Sequence, residues 1–141
     1  MGGAGIFVAV LAILLTGVPQ SSPPKKPPDP MPDLATSIKC STLVRPNQDI
    51  TVTVTVENKG LAPAPESDFD ILIKNGHAPR EVAQTFKRKI RALEVGDHFS
   101  YSFKIRVALG LYEICGTADR KKKIPDTDRK NNIYCVMIEG K

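Results

Sequence analysis

The segment from Ile50 to Gly60 constrains this chain more than any other. Ile50, Val52, Val54 and Val56 alternate with Thr51, Thr53, Thr55 and Glu57. A period of two puts the aliphatic set on one face and the hydroxyls on the other, as a half-buried strand requires. The residues are β-branched up to Glu57, so propensity agrees with the pattern. Asn58, Lys59 and Gly60 end the run with turn chemistry. The pattern specifies a β-sandwich module and no activity.

The same reading extends along the chain. It predicts seven strands: Leu34 to Val44, Asp49 to Asn58, Asp68 to Lys74, Glu81 to Arg91, His98 to Val107, Leu111 to Ala118 and Ile133 to Glu139. In the third strand, Phe69, Ile71 and Ile73 point inward and Asp68, Asp70 and Lys74 outward. In the fifth, Phe99, Tyr101, Phe103, Ile105 and Val107 alternate with Ser100, Ser102, Lys104 and Arg106. Asn75-Gly76 and Leu93 to Asp97 read as turns. No helical period appears, so the segments imply an all-β sandwich with a core of buried aliphatic and aromatic side chains.

The N-terminal part has a different character. Ile6 to Leu15 is a ten-residue apolar run, short for a bilayer span and normal for an export signal. Residues 1–20 therefore read as a signal peptide or an uncleaved anchor, the chain's sole route to a membrane. Pro19 to Pro32 holds seven prolines in fourteen residues. Proline fixes φ and removes donors, so residues 21–32 read as a linker in extended polyproline conformation. At about 3.1 Å per residue it reaches roughly 40 Å. One domain follows, residues 33–141.

From Pro32-Asp33-Leu34 onward the chain resembles the CARDB family, the cell-adhesion-related domain found in bacteria and archaea. Val56-Glu57-Asn58-Lys59-Gly60 followed by Ala62-Pro63-Ala64 carries the resemblance. So do the Leu93-x-x-Gly96 turn and Tyr112-x-Ile114-x-Gly116-x-Ala118-Asp119. The last hairpin adds Ile124-Pro125-Asp126-Thr127-Asp128 and Asn131-Asn132. The resemblance implies an immunoglobulin-like, seven-stranded antiparallel β-sandwich of exported and surface proteins. The chain departs from the family's usual pattern in the basic residues of its last hairpin.

Three cysteines leave their pairing open. A hairpin symmetric about residue 125 places Cys115 opposite Cys135. Strand parity instead turns Cys40 and Cys135 inward and Cys115 outward. Three unpaired thiols are the remaining arrangement.

The last hairpin is also the most reactive-looking segment. Asp126, Asp128 and Asn131, with Asp119 and Asn132, supply oxygens of the kind that bind Ca²⁺. Their spacing is not that of an EF-hand loop, and Asp and Asn in turns cap nearby amides without any ion. Capping is therefore the simpler reading, and no cofactor is required. The same hairpin carries Arg120, Lys121, Lys122, Lys123, Arg129 and Lys130. If strands alternate in direction, Lys87, Arg88, Lys89 and Arg91 reach the same pole, where Glu66, Asp68, Glu94 and Asp97 dilute the field. Such a pole suits an anionic glycan or lipid headgroup; the plainer reading is a solvated loop. Nucleic acid does not fit, because no aromatic set interleaves the cations.

Catalysis finds no support. His77 and His98 fall at opposite ends of the sandwich, and no nucleophile, zinc or phosphate-loop motif is present. The sequence therefore points to a secreted, periplasmic or cell-surface binding or adhesion module that contacts a protein or surface glycan. Polyanion binding through the basic pole is the alternative. An accessory or inhibitor domain of a secreted enzyme is the third reading.

Overall fold

The structure is a computed structural model describing residues 17–76 and 82–141. The apolar run of residues 6–15, His77 and Glu81 lie outside the described residues. Gly17 to Pro30 is exposed and without regular secondary structure. Among the described residues no helix is long and apolar enough to cross a membrane.

Eight strands form two sheets. They are β1 Leu34–Lys39, β2 Leu43–Val44, β3 Gln48–Asn58, β4 Ser67–Asn75, β5 Val82–Ile90, β6 His98–Val107, β7 Gly110–Ala118 and β8 Ile133–Gly140. One sheet has the order β1-β3-β6 and the other β2-β8-β7-β4-β5. The expected first strand is the correction to the count of seven. It breaks at Cys40 to Thr42, and its two halves serve different sheets. β1 pairs antiparallel with β3, whereas β2 pairs parallel with β8. A single strand can follow only one partner, and the halves meet partners in opposite layers.

The core follows from the alternation. Val52, Val54 and Val56 on β3 face Phe69, Ile71 and Ile73 on β4 and Ile114 on β7, all at most 3% exposed. Each such side chain contributes about 1.5–3 kcal/mol by leaving water. At Gly116 the sheets come close: a Cβ there would stand 3.1 Å from Phe69 Cζ and 3.2 Å from Val54 Cγ1. Phe99, Tyr101 and Phe103 on β6 point toward the core but remain half-buried. They line the mouth of the sandwich, where Phe86 of β5 packs on Phe103 at 5.3 Å.

Asn58 fastens the pole where β3 ends. It is fully buried. Its Oδ1 accepts from the Asp33 amide at 3.2 Å and the Gly60 amide at 3.0 Å. Its Nδ2 donates to the carbonyls of Ala62 at 2.8 Å and Leu93 at 3.1 Å. One side chain thus joins the domain entrance, the β3–β4 loop and the β5–β6 turn. The Ala64–Leu93 bridge lies beside it. Asn58→Leu preserves volume but orphans these backbone groups, each at about 1–3 kcal/mol. Urea denaturation should show a loss of at least about 2 kcal/mol, and Asn58→Asp should recover only the acceptor half.

Candidate functional site

The two outer faces of the sandwich differ in chemistry. On the three-stranded sheet the outward residues are polar, with hydroxyl pairs in register at the centre and the Asp49–Arg106 ion pair toward one end. Thr53 Oγ1 bonds Ser102 Oγ and Thr55 Oγ1 bonds Ser100 Oγ, both at 2.9 Å. On the five-stranded sheet the outward residues are mixed: Asp68, Asp70, Lys74, Lys87, Lys89, Glu113 and Glu139 are charged, and an apolar patch lies among them. Leu72, Cys115 and Cys135 form one cross-strand row, and Leu111, Ile133 and Met137 lie on the same face. Ile133 is 53% exposed and Leu43, at the sheet edge, 65%.

A groove of about 420 Å³ opens beside that patch. Leu72, Thr117, Ile133 and the Cys115–Cys135 disulfide line it from the sheet side. Lys74, Arg120, Lys122 and Arg129 bring positive charge to it. The β7–β8 loop supplies three of those cations, so whatever holds the loop also shapes the groove.

Asp119 holds it. The residue is 4% exposed, takes φ +46°, and donates its amide to the Asp68 carbonyl at 2.8 Å. Its carboxylate accepts from the Lys123 amide at 3.0 Å and the Ile124 amide at 2.9 Å, with Arg129 at 3.5 Å. The Arg129 guanidinium also donates to the Ile124 carbonyl. Ile124 is thereby buried under the loop.

Of the oxygens considered for a cation, the carboxylates of Asp119, Asp126 and Asp128 are engaged as caps, whereas the buried Oδ1 atoms of Asn131 and Asn132 have no hydrogen-bond partner among the described residues. Asp126 Oδ2 accepts from the Leu34 amide at 2.9 Å and Asn132 Nδ2 at 3.2 Å, and Asp126 Oδ1 from the Asp128 amide at 2.9 Å. Asp128 Oδ1 accepts from the Lys130 amide at 3.1 Å, and Asn131 Nδ2 donates to Asp33 Oδ1 at 2.8 Å. These bonds tie the loop to the domain entrance, where a shared cation would otherwise compete for the same oxygens.

The cations divide into engaged and solvated groups. Arg88 lies over the Tyr101 ring at 4.6 Å from its centroid and donates to its hydroxyl at 2.6 Å. Lys89 pairs with Glu66 at 3.4 Å, Arg91 with Asp97 at 2.6 Å, and Arg120 with Asp70 at 3.5 Å. Lys87 sits in register with Asp70 on β4. Lys121, Lys122, Lys123 and Lys130 are exposed on the loop. Asp70 faces outward, as the alternation implies, yet it is only 8% exposed, because the later loop lays Arg120 against it.

The cysteines also resolve in position. Cys115 and Cys135 are direct cross-strand partners joined by a disulfide, with Cα atoms 4.1 Å apart. The parity reading fails because Val136 and Ile138 take the inward positions of β8 and turn Cys135 out. Cys40 is a free thiol packed against the core, and burial pushes its pKa up.

Two layers, a first strand divided between them and a loop-shaped pole define an immunoglobulin-like β-sandwich domain. The chain belongs to the CARDB family, whose match covers residues 31–136. Its fold is similar to the CARDB domain of the Pyrococcus furiosus protein PF1109, solved in complex with di-metal ions. The identity there is 21% over 79% of this chain and 90% of that one, with a TM-score of 0.66. It is also similar to a domain assigned to a cell surface protein of Methanosarcina acetivorans, with 20% identity over 79% and 93% of the two chains and a TM-score of 0.55. A β-glucosidase from Erythrobacter marinus shares the fold over 76% of this chain and 15% of its own, with 16% identity and a TM-score of 0.52. No curated protein matches the chain.

Two expectations follow from the pole. Asp119→Ala leaves the Lys123 and Ile124 amides without their acceptor, at about 1–3 kcal/mol per buried group. Hydrogen exchange should rise at those two amides before it rises in β7 or β8. The Arg91 guanidinium, and then the His98 amide, hold the Asp97 carboxyl down to about 2. Unfolded, that carboxyl titrates near 3.9. Its stabilising contribution is therefore complete above the unfolded value and disappears as pH falls through about 2. Asp97→Asn should be less stable than the parent at neutral pH, with the difference closing on acidification in a pH series of urea denaturations.

Proposed function

We propose that this chain is a non-catalytic binding module of an exported or cell-surface protein. It contacts a protein partner through the outward face of the five-stranded sheet. The asymmetry of the outer faces carries this reading: one face bears hydroxyl and charged pairs, while the other exposes an apolar patch beside a cation-rimmed groove. Contiguous apolar surface rimmed by charge is the usual mark of an interaction site. The partner then presents an apolar side chain to Leu72 and Ile133 and acidic groups to Arg120, Lys122 and Arg129. CARDB membership and the likeness to a cell-surface domain support the setting.

A second reading is a polyanion, such as an anionic glycan or lipid headgroup, held by the pole itself. The exposed run Lys121, Lys122, Lys123 with Lys130 favours it. Lys87, Lys89, Arg91, Arg120 and Arg129 contribute less free charge, since most of them already face a carboxylate.

Salt and two variants separate the readings. Binding to the native envelope fraction should fall at least tenfold in Ile133→Asp, at low and high salt alike. The triple variant Lys121→Ala/Lys122→Ala/Lys123→Ala should weaken it only at low salt, where charges are unscreened. If the triple variant loses binding and Ile133→Asp keeps it, the polyanion reading replaces the first. Unchanged binding in both removes the groove and the loop together.

A further inference from the structure

The same face also carries a donor set, part of which lines the groove. Cys115 stands across from Cys135, and Glu113 stands across from Met137 in the same β7–β8 ladder. Residues two apart share a face, so the four side chains form a two-by-two square on it. A Glu113 carboxylate oxygen and the two Sγ atoms all lie within 4.8 Å of one another. Met137 is 39% exposed, and its thioether belongs to the same side.

We propose that the reduced form of this chain is a binding site for a thiophilic metal ion, with Cys115, Cys135 and Glu113 as ligands and Met137 beside them. Sulfur donors select Zn²⁺, Cd²⁺ or Cu⁺ over the hard cations that bind oxygen alone. Metal–sulfur bonds of about 2.3 Å and metal–oxygen bonds of about 2.0–2.2 Å set tetrahedral ligand atoms about 3.5–4 Å apart. Reduction lets the bonded Sγ atoms part toward that spacing, and the Glu113 carboxylate, beside them in the same ladder, turns to the ion from Lys74 Nζ, 3.8 Å away. The site is built by register, so both redox forms share its backbone.

The disulfide gates the site. An external dithiol reductant supplies the two electrons. Its thiolate attacks Sγ of Cys135, which is exposed, and Cys115 leaves as thiolate. The second thiol of the reductant then closes on its partner sulfur and releases Cys135. The reductant departs as a disulfide, and its two protons pass to the protein thiols or to solvent. Metal binding displaces the remaining thiol protons. The neighbouring groove leaves the exposed sulfur open to approach.

The experiment uses the full chain carrying Cys40→Ser, so that only the paired cysteines remain. The protein is reduced with a phosphine, desalted without oxygen and titrated with Cd²⁺ alone, reading the ultraviolet sulfur-to-metal charge-transfer band. The band should saturate at one Cd²⁺ per chain, be absent from the oxidised protein, and collapse when the reduced protein is reoxidised. Glu113→Gln should retain the band but weaken the affinity at least tenfold. Far-ultraviolet circular dichroism follows the strands throughout, with the double variant Cys115→Ser/Cys135→Ser as the fold reference. No band on reduced, folded protein overturns the proposal. So does one metal shared by two chains, or Glu113→Gln binding like the parent. Loss of the strand spectrum on reduction overturns it equally, because the donor square exists only in the paired ladder. None of these outcomes depends on the partner-binding reading.

Discussion

Polar side chains, rather than the aliphatic core, decide how one pole of this sandwich is built. The core brings two sheets together but leaves their ends unspecified. At the pole the chain must reverse direction several times, and each reversal leaves amides and carbonyls without ladder partners. Asn58 answers for three of those segments, and Asp119 answers for the longest loop. Asp126 adds the junction with the domain entrance. The groove inherits its shape from these bonds, since Arg120, Lys122 and Arg129 lie on the loop that Asp119 fixes.

Much of the fold was legible in the sequence because most strands bury one face only. β3 and β6 alternate cleanly, and the structure pairs them in register from Gln48 with Val107 to Glu57 with His98. β5 reads poorly because it is an edge strand: Phe86 is half-buried and Arg88 wraps an aromatic ring at the open side. The division of the first strand left no mark in the sequence. Cys40, Ser41 and Thr42 include no glycine or proline, and the break answers to where β8 lies rather than to local propensity.

The site was less legible than the fold. The cations were visible as residues, but their pairing was not. Arg120 meets Asp70 across fifty positions of chain, and Arg91 meets Asp97 across a turn. The groove depends on the register of β4, β7 and β8, which places Leu72, Cys115 and Cys135 in one row. No spacing along one strand announces that row. Asn58 was legible as a turn former, yet its burial and its four bonds are properties of three distant segments meeting.

The divided first strand has a mechanical consequence. The chain enters at the pole where Leu34 pairs with Asn58 and leaves at the opposite pole, where Gly140 pairs with Val44. β2 and β8 therefore run side by side in the same direction, and traction on the two ends drags them past each other lengthwise. The bonds from the Glu139 amide to Thr42 and from the Lys141 amide to Val44 lie across that line of pull. They must yield together rather than one after another, so tension between the two ends of the domain meets a clasp instead of a zip.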